Sequence, residues 1–161
     1  MAGERMAAFH SLRTRSTGTK RQITSTSFAR GWHIGAILRL FAGWLDESIE
    51  SAEASLPLIP HGRFGQVFNV IGAAPLLSRR FDEALPKLLL AIENDPSLPT
   101  PYRYLAAFYA HMGRFDEARE VAARLRSITS AVLSGADCFR RSEHREFYLS
   151  GLRMAAGFRE E

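Results

Sequence analysis

Apolar side chains recur at helical spacing through most of the chain after about residue 29. In the clearest stretch a first helix, closed by Gly113, is followed by a second helix with its own apolar face. The apolar positions of the first helix are Tyr102, Leu105, Phe108 and Tyr109, and those of the second are Ala118, Val121, Ala122 and Leu125. No stretch alternates apolar and polar residues as a half-buried strand does. The pattern therefore predicts helical hairpins and an all-α fold.

The hairpin pattern repeats along the chain. The segment Arg-Phe-Asp-Glu-Ala at 80–84 recurs at 114–118, a shift of 34 residues, and a weaker copy at 43–48 precedes the first by 36 residues. The acidic pair in each copy falls in the first turn of a helix, where negative charge is favourable, so we assign it a structural role. About three repeated units are predicted, each burying its apolar face against the next.

The repeat resembles the tetratricopeptide-repeat (TPR) family, whose 34-residue unit has aromatic and small residues at set places. The matching positions of the second unit are Ile71-Gly72, Phe81, Ala84, Ala91 and Pro96, and those of the third are Tyr102, Leu105, Tyr109, Gly113, Phe115 and Ala118. The resemblance implies a right-handed α-solenoid of about three hairpins over residues 29–130 that binds a protein or peptide.

Four residues depart from the family pattern. Pro75 replaces an aromatic residue inside a first helix, where it is expected to kink or end the helix. Pro86 lies near the start of its helix and is less disruptive. Gly35 and Ser48 are expected to weaken two packing positions of the first unit.

A final amphipathic helix is predicted after the repeats, within a linker and capping segment at 131–161. Ser142 is expected to cap a helix from Glu143 to about Met154, and Gly157 to end it. Its apolar stripe is Phe147, Tyr148, Gly151, Leu152 and Ala155. Because a repeat stack leaves an apolar end, this helix is expected to cover it.

Residues 143–153 are also similar to the end of TPR tails that follow bacterial class III adenylate cyclase domains and winged-helix regulators. This resemblance implies the regulatory or scaffold end of a signalling protein. Cyclase chemistry itself would need a separate mixed α/β domain with paired metal-binding aspartates, which the pattern leaves no room for. A truncated relic of a longer gene is the alternative.

Charge is concentrated at the amino terminus. The formal net charge is +4, yet residues 1–30 alone hold six basic side chains against one acidic one. Residues 1–28 are predicted to be a disordered basic tail. An alternative function is nucleic-acid binding through this tail, which would weaken with salt and vanish when residues 1–28 are removed. Nucleic acid is the less favoured partner because no aromatic residues interleave with the charges.

The sequence holds no pattern typical of catalysis, metal binding or a cofactor. The five histidines lack ligand spacing, and the single cysteine, Cys138, is expected to be a buried structural thiol. The most apolar stretch, 32–45, is broken by His33 and Arg39 and is too short to span a membrane. We therefore expect a non-enzymatic cytoplasmic protein without metal or cofactor, and the oligomeric state stays open.

The ligand-facing positions of the TPR family lie on the concave face, formed by the first helix of each unit. Here these positions are Arg30, His33, Gln66, Asn69, Arg103 and His111. The two arginines suit an acidic peptide or a carboxyl terminus. A floor with small and apolar residues such as Ala73 and Ala107 favours a helix or an extended peptide over a small metabolite. The alternative is that the six residues are ordinary solvated polar side chains.

Overall fold

A computed structural model of the protein describes residues 27–59, 64–133 and 136–157. Within these ranges the chain is all-helical and contains no strand, which confirms the predicted all-α class. The helices are α1 (27–42), α2 (Leu45–Ser55), α3 (Gly65–Leu77), α4 (Phe81–Asn94), α5 (Pro99–His111), α6 (Phe115–Ile128) and α7 (Ser142–Ala156). Short 3₁₀ turns lie at Leu56–Leu58 and Ala136–Cys138. The tail predicted at 1–28 lies outside the described residues, except that 27 and 28 belong to α1.

The turns that join α1 to α2, α3 to α4 and α5 to α6 share one backbone geometry. Each has a left-handed residue at the same place: Gly43 with φ 86°, Arg79 with φ 62° and Gly113 with φ 73°. In each turn the left-handed residue donates its N–H to the carbonyl three residues back, and the next residue donates to the carbonyl five back. This is the Schellman arrangement, which satisfies the last carbonyls of a helix. The sequence repeat is thus a repeat of three helical hairpins.

Glycine at the third of these turns is required by its conformation alone. A Cβ atom at Gly113 would meet no atom within 4 Å, but the φ of 73° is strained for any other residue. We expect Gly113→Ala to lower the free energy of unfolding by about 1–2 kcal/mol. Gly31→Ala is the matched control, because Gly31 is helical and equally open, and there alanine should stabilise by about 0.5–1 kcal/mol. Urea denaturation followed by circular dichroism measures both, and equal effects would contradict the conformational reason.

Close packing of helix pairs forms the core. Each helix from α2 to α6 packs against the next along the chain. Gly72 of α3 lies so close to Leu88 of α4 that a Cβ atom would be 2.9 Å from that side chain and from its backbone nitrogen. Between the first two helices Ser48 is fully buried, and its hydroxyl donates to the Ala36 carbonyl at 2.8 Å. The sequence analysis expected Ser48 to weaken the packing of the first unit. Instead, its side chain is buried and its hydrogen bond joins α1 and α2.

Neither proline interrupts its helix. Pro75 lies two residues before the end of α3, which continues to Leu77, and its carbonyl accepts the N–H of Arg80 in the turn. The stop that the sequence predicted at Pro75 does not occur, because α3 continues past it although proline has no N–H to donate to the Ile71 carbonyl. Pro86 lies inside α4, which runs unbroken around it.

The sequence predicted the end of the last helix correctly, but not the cap at its start. α7 starts at Ser142, after Arg141 as its N-cap residue, and no side chain caps it, so the prediction of a Ser142 cap was wrong. Its end is confirmed at Gly157, which takes the left-handed conformation with φ 87°.

α7 packs against α5 and also contacts α3, which are first helices of their hairpins. Phe147 lies beside His111, and Gly151 lies beside Ala107, so α7 runs opposite in direction to α5. α7 also packs against α6 and contacts α3. The sequence analysis expected α7 to cover only the open end of the repeat stack, but α7 also contacts the second hairpin through α3.

Candidate functional site

The six residues predicted to face a ligand all lie on α1, α3 or α5. We call the surface that these three helices form the α1–α3–α5 face. Five of the six residues lie in the first half of their helices, and the structure leaves three of those, Arg30, His33 and Gln66, partly or fully exposed. The chain's own C-terminal segment, residues 136–157, covers much of the rest. The face therefore has an open half and a covered half.

The open half is a polar row on α1 and α3. Arg30 and Gln66 are exposed, and the partly buried His33 is hydrogen-bonded through its side chain to Gln66. Burial lowers the pKa of His33 below its ordinary value, and the hydrogen bond to Gln66 opposes that shift. Asn69 lies one helical turn further along α3 and is 8% exposed. The row brings these four predicted residues to one part of the face.

Two buried polar atoms in this row have no hydrogen-bond partner. They are Nδ1 of His33 and Oδ1 of Asn69. A buried polar group without a partner is destabilising, and most such groups in proteins are satisfied by protein, water or ligand. Both atoms are hydrogen-bond acceptors when His33 is neutral, so the N–H groups of a ligand such as a peptide backbone are chemically complementary to them.

The sequence analysis predicted that Arg103 faces a ligand, but in the structure its side chain is buried and already bonded. It is 8% exposed and holds the loop after α6, since its Nε donates to the Val132 carbonyl at 3.1 Å and its Nη2 to the Ala131 carbonyl at 2.6 Å. Charge-assisted hydrogen bonds of this kind are stronger than neutral ones. Arg103 therefore fixes the path of the chain toward α7 and leaves Arg30 as the exposed arginine among the six predicted residues.

His111 is engaged by α7. Its Nε2 lies 2.7 Å from the Phe147 carbonyl oxygen, and its ring stacks on the Phe147 ring at 3.8 Å with an angle of 8°. Because a carbonyl only accepts, Nε2 carries the proton and donates. Burial lowers the pKa of His111, nearby Arg79 lowers it further, and the bond to Phe147 opposes both.

The lowered pKa of His111 predicts acid-sensitive stability. Between that lowered value and the ordinary pKa of 6.5 the unfolded chain binds a proton that the native chain does not. The stabilisation is therefore complete above pH 6.5 and is lost as the pH falls through this window. We expect the urea midpoint to drop between about pH 7.5 and about pH 5, and to drop less in His111→Gln. The lowered pKa values of His33 and His144 act in the same direction, so equal drops in both proteins would exclude His111 as a source.

The segment before α7 covers the end of α1. The Arg140 N–H donates to the Phe41 carbonyl at 2.8 Å, and the Phe139 and Phe41 rings meet edge to face at 5.3 Å. The Arg141 side chain lies over Gly43, where a Cβ atom would be 2.5 Å from its Nε. Glycine is thus favoured at this turn by its positive φ, and a Cβ atom would also require the Arg141 side chain to shift.

The first turn of α7 lies against the turn of the second hairpin. Arg79, which stands where the other two hairpins have glycine, places its guanidinium carbon 4.9 Å from the centre of the Phe147 ring. A cavity of about 170 Å³ is lined here by Leu77, Ser78, Arg79, Glu143, His144 and Phe147. Sequence reasoning missed this contact, although an arginine at a glycine position of the repeat was a visible signal.

Cys138 lies on the surface of the segment that leads into α7. It is exposed, so the prediction of a buried structural thiol was wrong. The short 3₁₀ turn at Ala136–Cys138 buries Ala136 and the following Phe139, while Cys138 between them stays exposed.

Among the described residues, no three His, Cys, Asp or Glu side chains come together in a way that could hold a metal ion. No helix in the described ranges is long and apolar enough to cross a membrane. The chain matches no protein-family model, and it matches no curated protein.

A second surface of note is apolar and lies on the outer side of α1. Its large exposed side chains are Phe28, Trp32, Ile34 and Leu38. Exposed apolar groups of this size on one helix are typical of a contact surface. Ile34 lies one helical turn after Arg30, so this apolar surface borders the polar row.

Proposed function

We propose that this protein is a non-catalytic protein-interaction module of the TPR type, a right-handed solenoid of three hairpins, that binds a peptide segment on the open half of its α1–α3–α5 face. Three turns with the same left-handed residue and the same hydrogen bonds support the repeat on which the TPR resemblance rests. The TPR resemblance supplies the expectation that this face binds protein.

The observation that carries the proposal is the pair of buried, unpartnered atoms in the polar row. Nδ1 of His33 and Oδ1 of Asn69 lie at positions where the family binds ligand, and both can accept a hydrogen bond when the histidine is neutral. The lowered pKa of His33 favours the neutral ring. The exposed guanidinium of Arg30 adds a site for a carboxylate. An acidic peptide, or a peptide ending in a free carboxylate, has both kinds of group.

The biological setting follows from the second resemblance. Residues 143–153, which are similar to the end of cyclase-associated TPR tails, form most of α7. We extend the proposal to a regulatory or scaffold role in an adenylate-cyclase-like signalling system of the bacterial cytoplasm. The partner would then be a protein of that system.

Binding of defined peptides tests the proposal. Fluorescence polarisation would compare a set of labelled acidic peptides ending in a free carboxylate with the same peptides ending in an amide. We expect Arg30→Glu to weaken binding of the carboxylate peptides at least about tenfold. Arg124→Glu, an equal charge reversal at an exposed position of α6, is the control and should leave binding unchanged.

Two outcomes would reject the proposal. The first is that no acidic peptide binds the intact chain. The second is that both charge reversals weaken binding equally, because this would show general attraction to a basic protein and no site at the polar row. Circular dichroism of both variants confirms that the helices are retained.

A further inference from the structure

The outer side of α1 carries large apolar side chains that no described part of the chain covers. Phe28, Trp32, Ile34 and Leu38 are between 45% and 66% exposed, and we call the surface that they form the α1 outer surface. A groove of about 510 Å³ runs along it and is lined by Ser27, Phe28, Gly31, Trp32, Gly35 and Arg39. Exposed apolar patches mark contacts with another protein or with a membrane.

The other two hairpins bury the position that is exposed at Leu38. Leu38 lies five residues before the left-handed residue of its turn, and Ala74 and Phe108 hold the same place in the second and third hairpins. Leu38 is 64% exposed, whereas Ala74 and Phe108 are 0% and 3% exposed. In the third hairpin the preceding helix α4 supplies part of the cover, since the Phe81 ring meets that of Phe108 at 5.8 Å. Among the described residues no helix precedes α1, so its outer surface is open to a binding partner.

Charge restricts what that partner can be. Residues 5–45 hold seven basic side chains and no acidic one, so this segment carries +7 while the formal net charge of the whole chain is +4. Two of the seven lie at the α1 outer surface. Arg39 lines the groove together with Trp32, and Arg30 lies one helical turn before Ile34. The partner that fits this surface is therefore both apolar and anionic.

Three other candidates fit this combination less well than an anionic lipid surface does. A second copy of the chain would bring two segments of charge +7 together, and residues 5–26 of the same chain have the sign of the surface itself. Nucleic acid is anionic, but its bases stack on aromatic rings and leave aliphatic side chains such as Ile34 and Leu38 uncovered. An anionic lipid surface has acyl chains for the apolar residues and phosphates for the arginines.

We propose that the α1 outer surface binds the surface of a membrane that contains anionic lipids. α1 lies in the plane of the membrane, with Phe28, Trp32 and Leu38 at the boundary between headgroups and acyl chains. Arg30 and Arg39 reach the lipid phosphates, because a long arginine side chain can bury its stem and keep its charge in the polar layer. The basic residues before α1 strengthen the attraction. This binding needs no helix that crosses the membrane, and it does not depend on the peptide site at the polar row.

Tryptophan fluorescence of the full chain tests the proposal. The chain has two tryptophans, so Trp44→Phe leaves Trp32 of the α1 outer surface as the only one. We expect the Trp32 emission to shift to shorter wavelength when vesicles of phosphatidylcholine with about one third phosphatidylglycerol are added. Vesicles of phosphatidylcholine alone should cause no shift. Added salt should weaken binding to the anionic vesicles, because it screens the arginines.

Two pairs of variants, compared by sedimentation with the anionic vesicles, locate the binding surface. Leu38→Glu should lower the partition coefficient at least about tenfold, whereas Leu89→Glu, the same change at an exposed position of α4, should lower it less than about threefold. Arg39→Gln should lower it about fivefold, and Arg124→Gln on α6 should leave it nearly unchanged. Both leucines are exposed, so the variants should fold, and circular dichroism checks this.

Four results would overturn the proposal. One is that the anionic vesicles neither shift the Trp32 emission nor sediment the chain. Another is that Leu38→Glu and Leu89→Glu weaken binding equally, which would show general attraction of a basic chain. The third is a dimer, measured by light scattering, that dissociates in Leu38→Glu, because a second copy would then cover the surface. The fourth is binding of a labelled oligonucleotide that Leu38→Glu abolishes, which would make nucleic acid the partner.

Discussion

Replacing Phe147 with alanine is expected to lower the free energy of unfolding by about 3–4 kcal/mol. Phe147 is 7% exposed and lies between several groups that lose their packing partner when the ring is removed. His111 stacks on it at 3.8 Å, the Arg79 guanidinium carbon lies 4.9 Å from the ring centre, and the Phe81 ring is at 6.5 Å. Because these groups come from α5, the second turn and α4, the cavity could close only if several elements moved together.

Phe115→Ala is the matched control for this prediction. Phe115 is the first residue of α6 and is 45% exposed, so the same truncation there should cost less than about 1 kcal/mol. Urea denaturation of both variants, monitored by the helical signal in far-ultraviolet circular dichroism, gives the two free energies. Similar losses for Phe147→Ala and Phe115→Ala would mean that α7 contributes little to the stability of the hairpins.

The hairpins were predictable from the sequence because their signals are local. An acidic pair at the start of the second helix recurs in all three units, while a glycine at the turn and an alanine in the second helix each recur in two of the three. Gly43 and Gly113, which occupy equivalent places in the sequence repeat, form the same Schellman turn in the structure. Arg79 keeps this turn without glycine, because the hydrogen bonds and packing of two long helices fix its backbone.

The position of α7 could not be predicted from its sequence. Its apolar stripe shows that one side of the helix is buried, but the same stripe fits the open end of a stack or the α1–α3–α5 face. The choice depends on contacts between residues far apart in the chain, such as Arg140 with Phe41 and His111 with Phe147. For the same reason Arg103 and His111 were predicted on the correct helix, while their engagement by the chain itself was not foreseen.

The prediction for Ser48 shows a related limit. A serine where the family has a small apolar residue suggests weaker packing. In the structure, however, the Ser48 hydroxyl donates a hydrogen bond to the Ala36 carbonyl of the neighbouring helix. A helical carbonyl can accept a second hydrogen bond beyond the one within its helix. Sequence spacing gives no information on which carbonyl is within reach.

The close contact of α3 with α4 at Gly72 gives the second large expected effect, in Gly72→Val. A Cβ atom at position 72 would lie 2.9 Å from the Leu88 Cδ2, Cγ and backbone nitrogen, and Leu88 is fully buried. The side chain of Leu88 has little room to turn away, and its backbone nitrogen can move only with α4. We expect a loss of about 3 kcal/mol, at the upper end for overpacking, because valine adds two methyl groups beyond the Cβ.

Gly31→Val separates this steric effect from the helix preference of valine. Gly31 is also helical, and a Cβ atom there would meet no atom within 4 Å. Since valine is slightly better than glycine in a helix, Gly31→Val should change stability by less than about 0.5 kcal/mol. Urea denaturation of the two variants decides the point. A loss at Gly72 no larger than at Gly31 would mean that α3 and α4 separate easily, and that the small residue of the repeat is not what sets the distance between the two helices of a hairpin.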